Sequence, residues 1–210
     1  MPTEFLREIP GPAGTLEARL DLPSGPPRAV AGCGHPHPLH GGTMHTKALY
    51  QTAKALTRVG VAALRFNFRG VGLSTGSFDA GPGEQDDFRA AIAFARQRFP
   101  GLPVWAAGMS FGSWIAAGVG AADPRVSLVL LVAPPVDRYD YKELAAAGKP
   151  VFIVHGEDDE LIPVSDVRKF YGTLAEPREL ATIEHANHLF EGKTALVGDA
   201  VEGLLADWEI

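Results

Sequence analysis

The stretch that decides the fold runs from Val104 to Gly112 and reads VWAAGMSFG. Its first four residues are uniformly apolar, which is typical of a short strand buried on both faces of a parallel sheet. The next five have the pattern Gly-x-Ser-x-Gly around Ser110, and a helical stretch from Ser110 to Ala122 follows. We therefore predict a strand, a tight turn that carries Ser110, and a helix.

Similar strand and helix segments alternate along the rest of the chain. The predicted strands are Ala29 to Cys33, Val61 to Phe66, Ser127 to Val132, Val151 to Val154 and Arg178 to Ile183. The predicted helices are Lys47 to Val59, Glu84 to Arg98, Ser165 to Leu174 and Leu196 to Trp208. This alternation predicts an α/β fold with a mostly parallel, doubly wound sheet.

The N-terminal part has a different pattern. Glu4 to Ile9 and Thr15 to Asp21 mix apolar and charged residues, and the turn sequence PGPAG separates them. This indicates an antiparallel hairpin at one edge of the sheet. The interval from Pro134 to Lys149 is too short for a separate cap domain, so we expect one domain over residues 1–210 with an open site.

Composition excludes several classes of partner. The formal net charge is -6 and no block of like charges occurs, so we expect no nucleic-acid or anionic-membrane partner. No stretch reaches the roughly 20 apolar residues of a membrane span, and Met1 to Pro12 has no signal-peptide pattern, so we expect a cytoplasmic protein. Cys33 is the lone cysteine, which rules out an internal disulfide.

The Gly-x-Ser-x-Gly string is only moderately specific on its own, because chance gives about 0.09 such motifs at this composition. A serine that merely caps a helix would give the same string.

A serine nucleophile also needs a base oriented by an acid, and in this architecture they follow in the order serine, acid, histidine. Residues 155–163 (HGEDDELIP) and 184–190 (EHANHLF) follow predicted strands and supply that order. The order alone leaves Asp158 and Asp159, and His185 and His188, as alternatives.

Motifs spread over residues 28–192 resemble the α/β-hydrolase superfamily, most closely its small, lidless, dienelactone-hydrolase-like branch. They are the elbow at Ser110 together with HPHP at 35–38, GGTM at 41–44, FNFRGVG at 66–72 with Ser74 and Gly76, GExxD at 83–87, GxxDxxIP at 156–163 and AxHxF at 186–190. Their occurrence in order is far more specific than any one of them.

The resemblance implies the roles of the remaining residues. Asp159 matches the acid, because Pro163 stands four residues beyond it, and His188 matches the base, because Leu189-Phe190 follows it. The elbow makes the Phe111 N–H one oxyanion donor. The family places a second N–H in the loop after the first parallel strand. Because proline has no N–H, His37 is the preferred donor, with Leu39 as the alternative.

These assignments predict a serine hydrolase that cleaves a carboxylic ester or thioester through an acyl-enzyme, with a small-molecule substrate and no metal or organic cofactor. The missing lid leaves little apolar wall, which favours short or medium acyl groups. The sequence does not indicate the oligomeric state.

Two other functions are compatible with parts of the sequence. His35-x-His37-x-x-His40 has the spacing of a zinc-hydrolase motif, although that motif has aspartate where this chain has Leu39. The fold could also serve as a non-catalytic binding module, but such a module has no physical need for an ordered serine, acid and histidine. Labelling of Ser110 by a fluorophosphonate, compared with inhibition by a chelator, distinguishes these functions.

Overall fold

A computed structural model describes residues 2–209; Met1 and Ile210, the ends of the predicted domain, lie outside the described residues. Its eight strands are β1 (Thr3–Gly11), β2 (Gly14–Asp21), β3 (Ala29–Gly34), β4 (Val61–Phe66), β5 (Val104–Met109), β6 (Val126–Val132), β7 (Val151–Gly156) and β8 (Arg178–Ile183). They form one sheet in the order β1-β2-β4-β3-β5-β6-β7-β8. The strands from β4 to β8 in that order are parallel, and β1 and β2 are antiparallel at the edge. The predicted sheet and edge hairpin are confirmed.

Helices connect successive parallel strands, and one more helix follows the last strand, β8. They are α1 (Lys47–Arg58), α2 (Pro82–Arg98), α3 (Phe111–Ala122), α4 (Lys142–Ala146), α5 (Val164–Thr173) and α6 (Thr194–Leu205). The short helix α4 and a single 3-10 turn, Pro38–His40, are absent from the sequence prediction. Both are shorter than two α-helical turns, so neither shows a hydrophobic period. Helix α4 is the only regular element in the 134–149 interval, which confirms that no cap domain is inserted there.

Two apolar layers cover the sheet. One contains residues of α2, α3 and α5, and the other contains residues of α1 and α6. Strands β3, β5 and β7 are buried along their whole length, as their uniformly apolar sequences predict. Among residues 2–209 the model contains no helix whose length and apolarity would let it cross a bilayer.

The parallel strands place the chemically important loops together. Because parallel strands point the same way, the loops after β3, β5, β7 and β8 all leave the sheet at its carboxyl edge. The loop after β3 carries His37, the turn after β5 carries Ser110, and the loops after β7 and β8 carry Asp159 and His188. Residues that are far apart in sequence therefore meet at this edge.

Candidate active site

Ser110 lies on a sharp turn between β5 and α3. Its φ is 51° and its ψ is -122°, a conformation that costs a non-glycine residue about 1–3 kcal/mol. The turn is held by two hydrogen bonds: the Ser110 N–H donates to the Val132 carbonyl at 2.8 Å, and the Ser113 hydroxyl donates to the Ser110 carbonyl at 2.6 Å. The surrounding structure thus fixes the side chain of Ser110 above the N-terminus of α3.

The glycines of the motif are required by close backbone packing. A Cβ added at Gly108 would lie 2.1 Å from the carbonyl oxygen of Gly112. A Cβ added at Gly112 would lie 2.4 Å from the backbone of Gly34, at the end of β3. The strand, the helix and the neighbouring strand therefore pass too closely for any side chain at either position.

Ser110, His188 and Asp159 form one chain of hydrogen bonds. The distance between Ser110 Oγ and His188 Nε2 is 2.9 Å, and the distance between His188 Nδ1 and Asp159 Oδ2 is 2.7 Å. A carboxylate only accepts, so Nδ1 donates to it and Nε2 of the neutral ring is left to accept the serine proton. The structure brings together the three residues that the resemblance selected.

The alternative acid and base lie elsewhere. His185 Nδ1 is 3.2 Å from Asp158 Oδ2, and both side chains are exposed, with relative accessibilities of 81% and 63%. They make a surface contact of their own. By contrast, the side chains of Asp159 and His188 have relative accessibilities of 0% and 6%. Only the latter pair is joined to Ser110 by hydrogen bonds.

The carboxylate of Asp159 is held in its charged form. Its Oδ1 accepts hydrogen bonds from the backbone N–H groups of Leu161 and Ile162, at 2.9 and 2.8 Å. Burial by itself raises the pKa of Asp159, but the hydrogen bond and charge of His188 and the two N–H donors outweigh it and hold the pKa below its usual range. Asp159 is therefore poised to accept from His188.

A second buried histidine lies behind the acid. His155 Nε2 donates to the Ile162 carbonyl at 2.9 Å and lies 3.6 Å from Asp159 Oδ2. Burial lowers the pKa of His155 and so favours its neutral ring. Its Nδ1 has no hydrogen-bond partner among the described residues. This contact could not be predicted from the sequence, because a histidine that ends a buried strand gives no pattern of its own.

The two residues that carry the candidate oxyanion donors are in contact through their side chains. Phe111 is the first residue of α3, so its N–H has no acceptor within the helix. The ring of His37 packs against that of Phe111, with 5.0 Å between the centroids. The N–H of Leu39 already donates to His37 Nδ1 at 3.2 Å, which leaves His37 as the better placed of the two loop candidates.

A cleft of about 320 Å³ opens above Ser110, and we call it the active-site cleft. Its walls include Phe111, Tyr139, Leu161 and Leu189, and the two leucines are 43% and 48% exposed. Exposed leucines beside Ser110 give the cleft an apolar mouth. Charged groups also reach it, since Arg138 and Glu160 are part of its lining.

Comparison with known proteins places this chain in a family. Residues 37–147, just over half of the chain, match the family Hydrolase_4, described as serine aminopeptidase, S33. A serine hydrolase from Xanthomonas campestris that has no lid is 32% identical, with a TM-score of 0.91 over 99% of this chain and 96% of its own. The chain belongs to the α/β-hydrolase superfamily.

Two further relatives of this α/β hydrolase agree over nearly its whole length. An α/β serine hydrolase homologue from Coxiella burnetii is 35% identical, with a TM-score of 0.89 over 97% of both chains. An uncharacterised protein of Rickettsia prowazekii is 35% identical over 204 residues, which cover 93% of this chain and 86% of the relative. The predicted family and the lidless α/β-hydrolase fold are confirmed.

The histidines of the zinc alternative do not converge in this hydrolase. His35 is buried, with its Nδ1 on the Pro36 carbonyl at 2.6 Å and its Nε2 accepting the Phe68 N–H at 3.1 Å. His37 stacks on His40, with 4.4 Å between ring centroids. Within residues 2–209 no group of three or more histidine, cysteine, aspartate or glutamate side chains is arranged to hold a metal ion. The spacing in the sequence therefore does not correspond to a ligand set.

Proposed function

We propose that this α/β hydrolase cleaves a carboxylic ester or thioester, with Ser110 as nucleophile, His188 as general base and Asp159 as the acid that orients the base. The observation that carries the proposal is the unbroken chain of hydrogen bonds from Ser110 Oγ through His188 to Asp159, at 2.9 and 2.7 Å. A serine hydroxyl is a weak nucleophile, and this arrangement is the one that activates it.

The reaction proceeds in two acyl transfers. His188 Nε2 takes the proton of Ser110 as Oγ attacks the carbonyl carbon, and the imidazolium then gives that proton to the departing alcohol or thiol. The acyl group remains on Oγ as an ester. His188 next takes a proton from water, which attacks the acyl-enzyme, and returns it to Ser110 Oγ as the carboxylic acid leaves.

The negative oxygen of each tetrahedral intermediate needs donors that are already in place. We assign this role to the backbone N–H groups of Phe111 and His37. Phe111 begins α3, so the positive end of the helix dipole adds to its N–H. Donors fixed by the backbone require no reorganisation during the reaction, which is why such groups stabilise the transition state strongly.

Hydrolysis assays with a small panel test the proposal. Esters, thioesters and an aminoacyl amide of matched size should be compared, because the matching family is described as a serine aminopeptidase. We expect kcat/KM to be highest for an ester or thioester and to fall by about 10⁴-fold or more in Ser110→Ala. Ser77→Ala, at an exposed serine outside the cleft, is the matched control.

The same assays distinguish the other functions. If Ser110→Ala keeps full activity while a chelator removes it, a metal hydrolase replaces the proposal. If no member of the panel is hydrolysed and Ser110 is not acylated, the fold acts as a binding module. If the amide is the preferred substrate, the triad stands and the ester or thioester assignment is wrong.

A further inference from the structure

A second and larger cavity adjoins the active-site cleft. It has a volume of about 670 Å³ and lies between α4 and α5, and we call it the side groove. Its apolar surface includes Val136, Tyr139, Tyr141, Ala145 and Phe170. The aromatic floor is packed, since the rings of Tyr141 and Phe170 lie 5.0 Å apart. Neither the triad nor the oxyanion donors use this cavity.

The side groove is connected to the nucleophile in two ways. Tyr139 lines both the side groove and the active-site cleft, and its ring stacks on Trp114 at 4.2 Å between centroids, which fixes the shared wall. Tyr141, in the floor, has its hydroxyl 3.2 Å from Ser113 Oγ, and Ser113 donates to the Ser110 carbonyl. A molecule bound at Ser110 therefore has an apolar surface within reach beyond Tyr139.

The charges at the rim indicate what kind of group fits. Lys142 Nζ lies 3.2 Å from Asp140 Oδ2, and Lys169 Nζ lies 2.8 Å from Asp166 Oδ1. Each ammonium group thus has a carboxylate beside it, and Asp137 adds a third carboxylate to the lining, so the rim does not favour an anionic ligand. An uncharged, apolar group gains the most binding free energy from this surface, because burial of apolar area is the main favourable contribution that the groove offers.

We propose that the side groove binds the distal apolar part of an extended ester or thioester whose carbonyl lies at Ser110. This inference rests on the proposed function and refines its substrate class. It also revises the expectation of short or medium acyl groups, which was drawn from the missing lid. The side groove supplies the apolar wall that the lid would otherwise provide. The substrate then reaches from Ser110, past Tyr139, to the surface between α4 and α5.

Ala145→Trp fills the side groove and provides the test. Two series are measured: p-nitrophenyl esters from acetate through butyrate and octanoate to dodecanoate, and acetate esters of alcohols of matching lengths. Each buried methylene contributes about a fourfold factor in binding, so wild type should prefer the longer members of one series. Ala145→Trp should remove that preference and lower the ratio of long-chain to short-chain kcat/KM by about tenfold or more.

Matched variants keep the outcome decisive. Ala206→Trp places the same side chain on the exposed end of α6, on the opposite face of the sheet, and should leave the ratio unchanged. If Ala145→Trp does not fold, Ala146→Trp fills the same cavity from an exposed position. An unchanged ratio in the folded variant, or an equal loss for every chain length, overturns the side-groove proposal alone. Failure of wild type to hydrolyse any ester or thioester overturns this proposal together with the proposed function.

Discussion

At the scale of single residues, the site depends on which groups are hydrogen-bonded to which. Four acidic residues stand together at 157–160, yet only Asp159 accepts from His188 Nδ1. Its neighbour Asp158 faces solvent and contacts His185. The side chains of Asp158 and Asp159 therefore differ in direction and in burial. The same substitution at the two positions should have different effects on activity.

Asp159→Asn tests that difference. The amide cannot hold His188 in the tautomer that leaves Nε2 free to accept, so we expect kcat to fall by about 10⁴-fold while the protein stays folded. Asp158→Asn is the matched control and should change kcat less than about twofold, since an exposed pair contributes little. Steady-state kinetics on one activated ester measure both. Similar losses in the two variants would refute the assignment of Asp159.

We expect His155 to act as a positioning residue, because its ring donates to the Ile162 carbonyl and lies 3.6 Å from Asp159 Oδ2. His155→Leu removes the donor to the Ile162 carbonyl, and a displacement of the acid should lower kcat by about 10- to 100-fold. His155→Gln retains an N–H donor and should recover most of the activity. Equal losses of kcat in the two variants, with unchanged thermal stability, would show that the hydrogen bond from His155 to the Ile162 carbonyl does not contribute to activity.

At the scale of secondary-structure elements, the turn at Ser110 is set by how closely β3, β5 and α3 approach. Gly108 and Gly112 sit where a side chain would overlap backbone atoms, whereas Gly203 on α6 has open space around the position of a Cβ. The same substitution should therefore have opposite effects at Gly112 and Gly203.

We expect Gly112→Ala to lower the free energy of unfolding by about 3 kcal/mol, because backbone atoms 2.4 Å away have to move. Gly203→Ala should raise it by about 0.5–1 kcal/mol, since alanine is favoured over glycine within a helix. Urea unfolding of the two variants and wild type measures both changes. If Gly112→Ala is as stable as wild type, the packing described for the elbow is wrong; if Gly203→Ala is destabilised, the open space described at Gly203 is wrong.

Most helices and strands could be predicted from the sequence, and the missed features have physical reasons. The five runs assigned to the parallel strands are found as β3, β4, β6, β7 and β8, and the run that opens the deciding stretch is β5. Helix α4 was missed because a helix of five residues is too short to show a hydrophobic period. The sequence also could not place Tyr139 and Tyr141 against the site, since contacts between loops arise only when the sheet brings them together.

The candidate site was predictable in part, for a physical reason. Ser110 could be placed from a strand, turn and helix pattern, whereas Asp159 and His188 needed a resemblance to separate them from Asp158 and His185. The structure joins the preferred three by hydrogen bonds. Their catalytic roles, the oxyanion roles of Phe111 and His37, the single-domain organisation and the cytoplasmic location stay predictions.

At the scale of the whole molecule, buried neutral histidines make the fold sensitive to acid. Burial lowers the pKa of His35 to about 4. Both ring nitrogens are matched to the neutral form, because Nδ1 faces the Pro36 carbonyl and Nε2 accepts the Phe68 N–H. If Nε2 were protonated, its N–H would face the Phe68 N–H, and two donors cannot form a hydrogen bond. The folded state therefore disfavours protonation of His35.

The sign of the resulting pH dependence follows from the two pKa values. The pKa of histidine in the unfolded state is about 6.5. Between that pH and about pH 4 the unfolded state binds more protons than the folded state, so stability falls as pH falls. His35 contributes up to about 3 kcal/mol to this loss. Urea unfolding at several pH values should show that stability falls less steeply with pH in His35→Gln than in wild type. An unchanged slope in His35→Gln would contradict the assignment.

The central claim, that Ser110 is a nucleophile activated by His188, is tested most directly by covalent labelling. A fluorophosphonate probe should modify one equivalent of the protein, and peptide mass spectrometry should locate the label on Ser110. Ser110→Ala should not be labelled, and His188→Gln should be labelled at least about 10³-fold more slowly. A label on any other residue, or hydrolysis that persists in Ser110→Ala without labelling, would contradict the account.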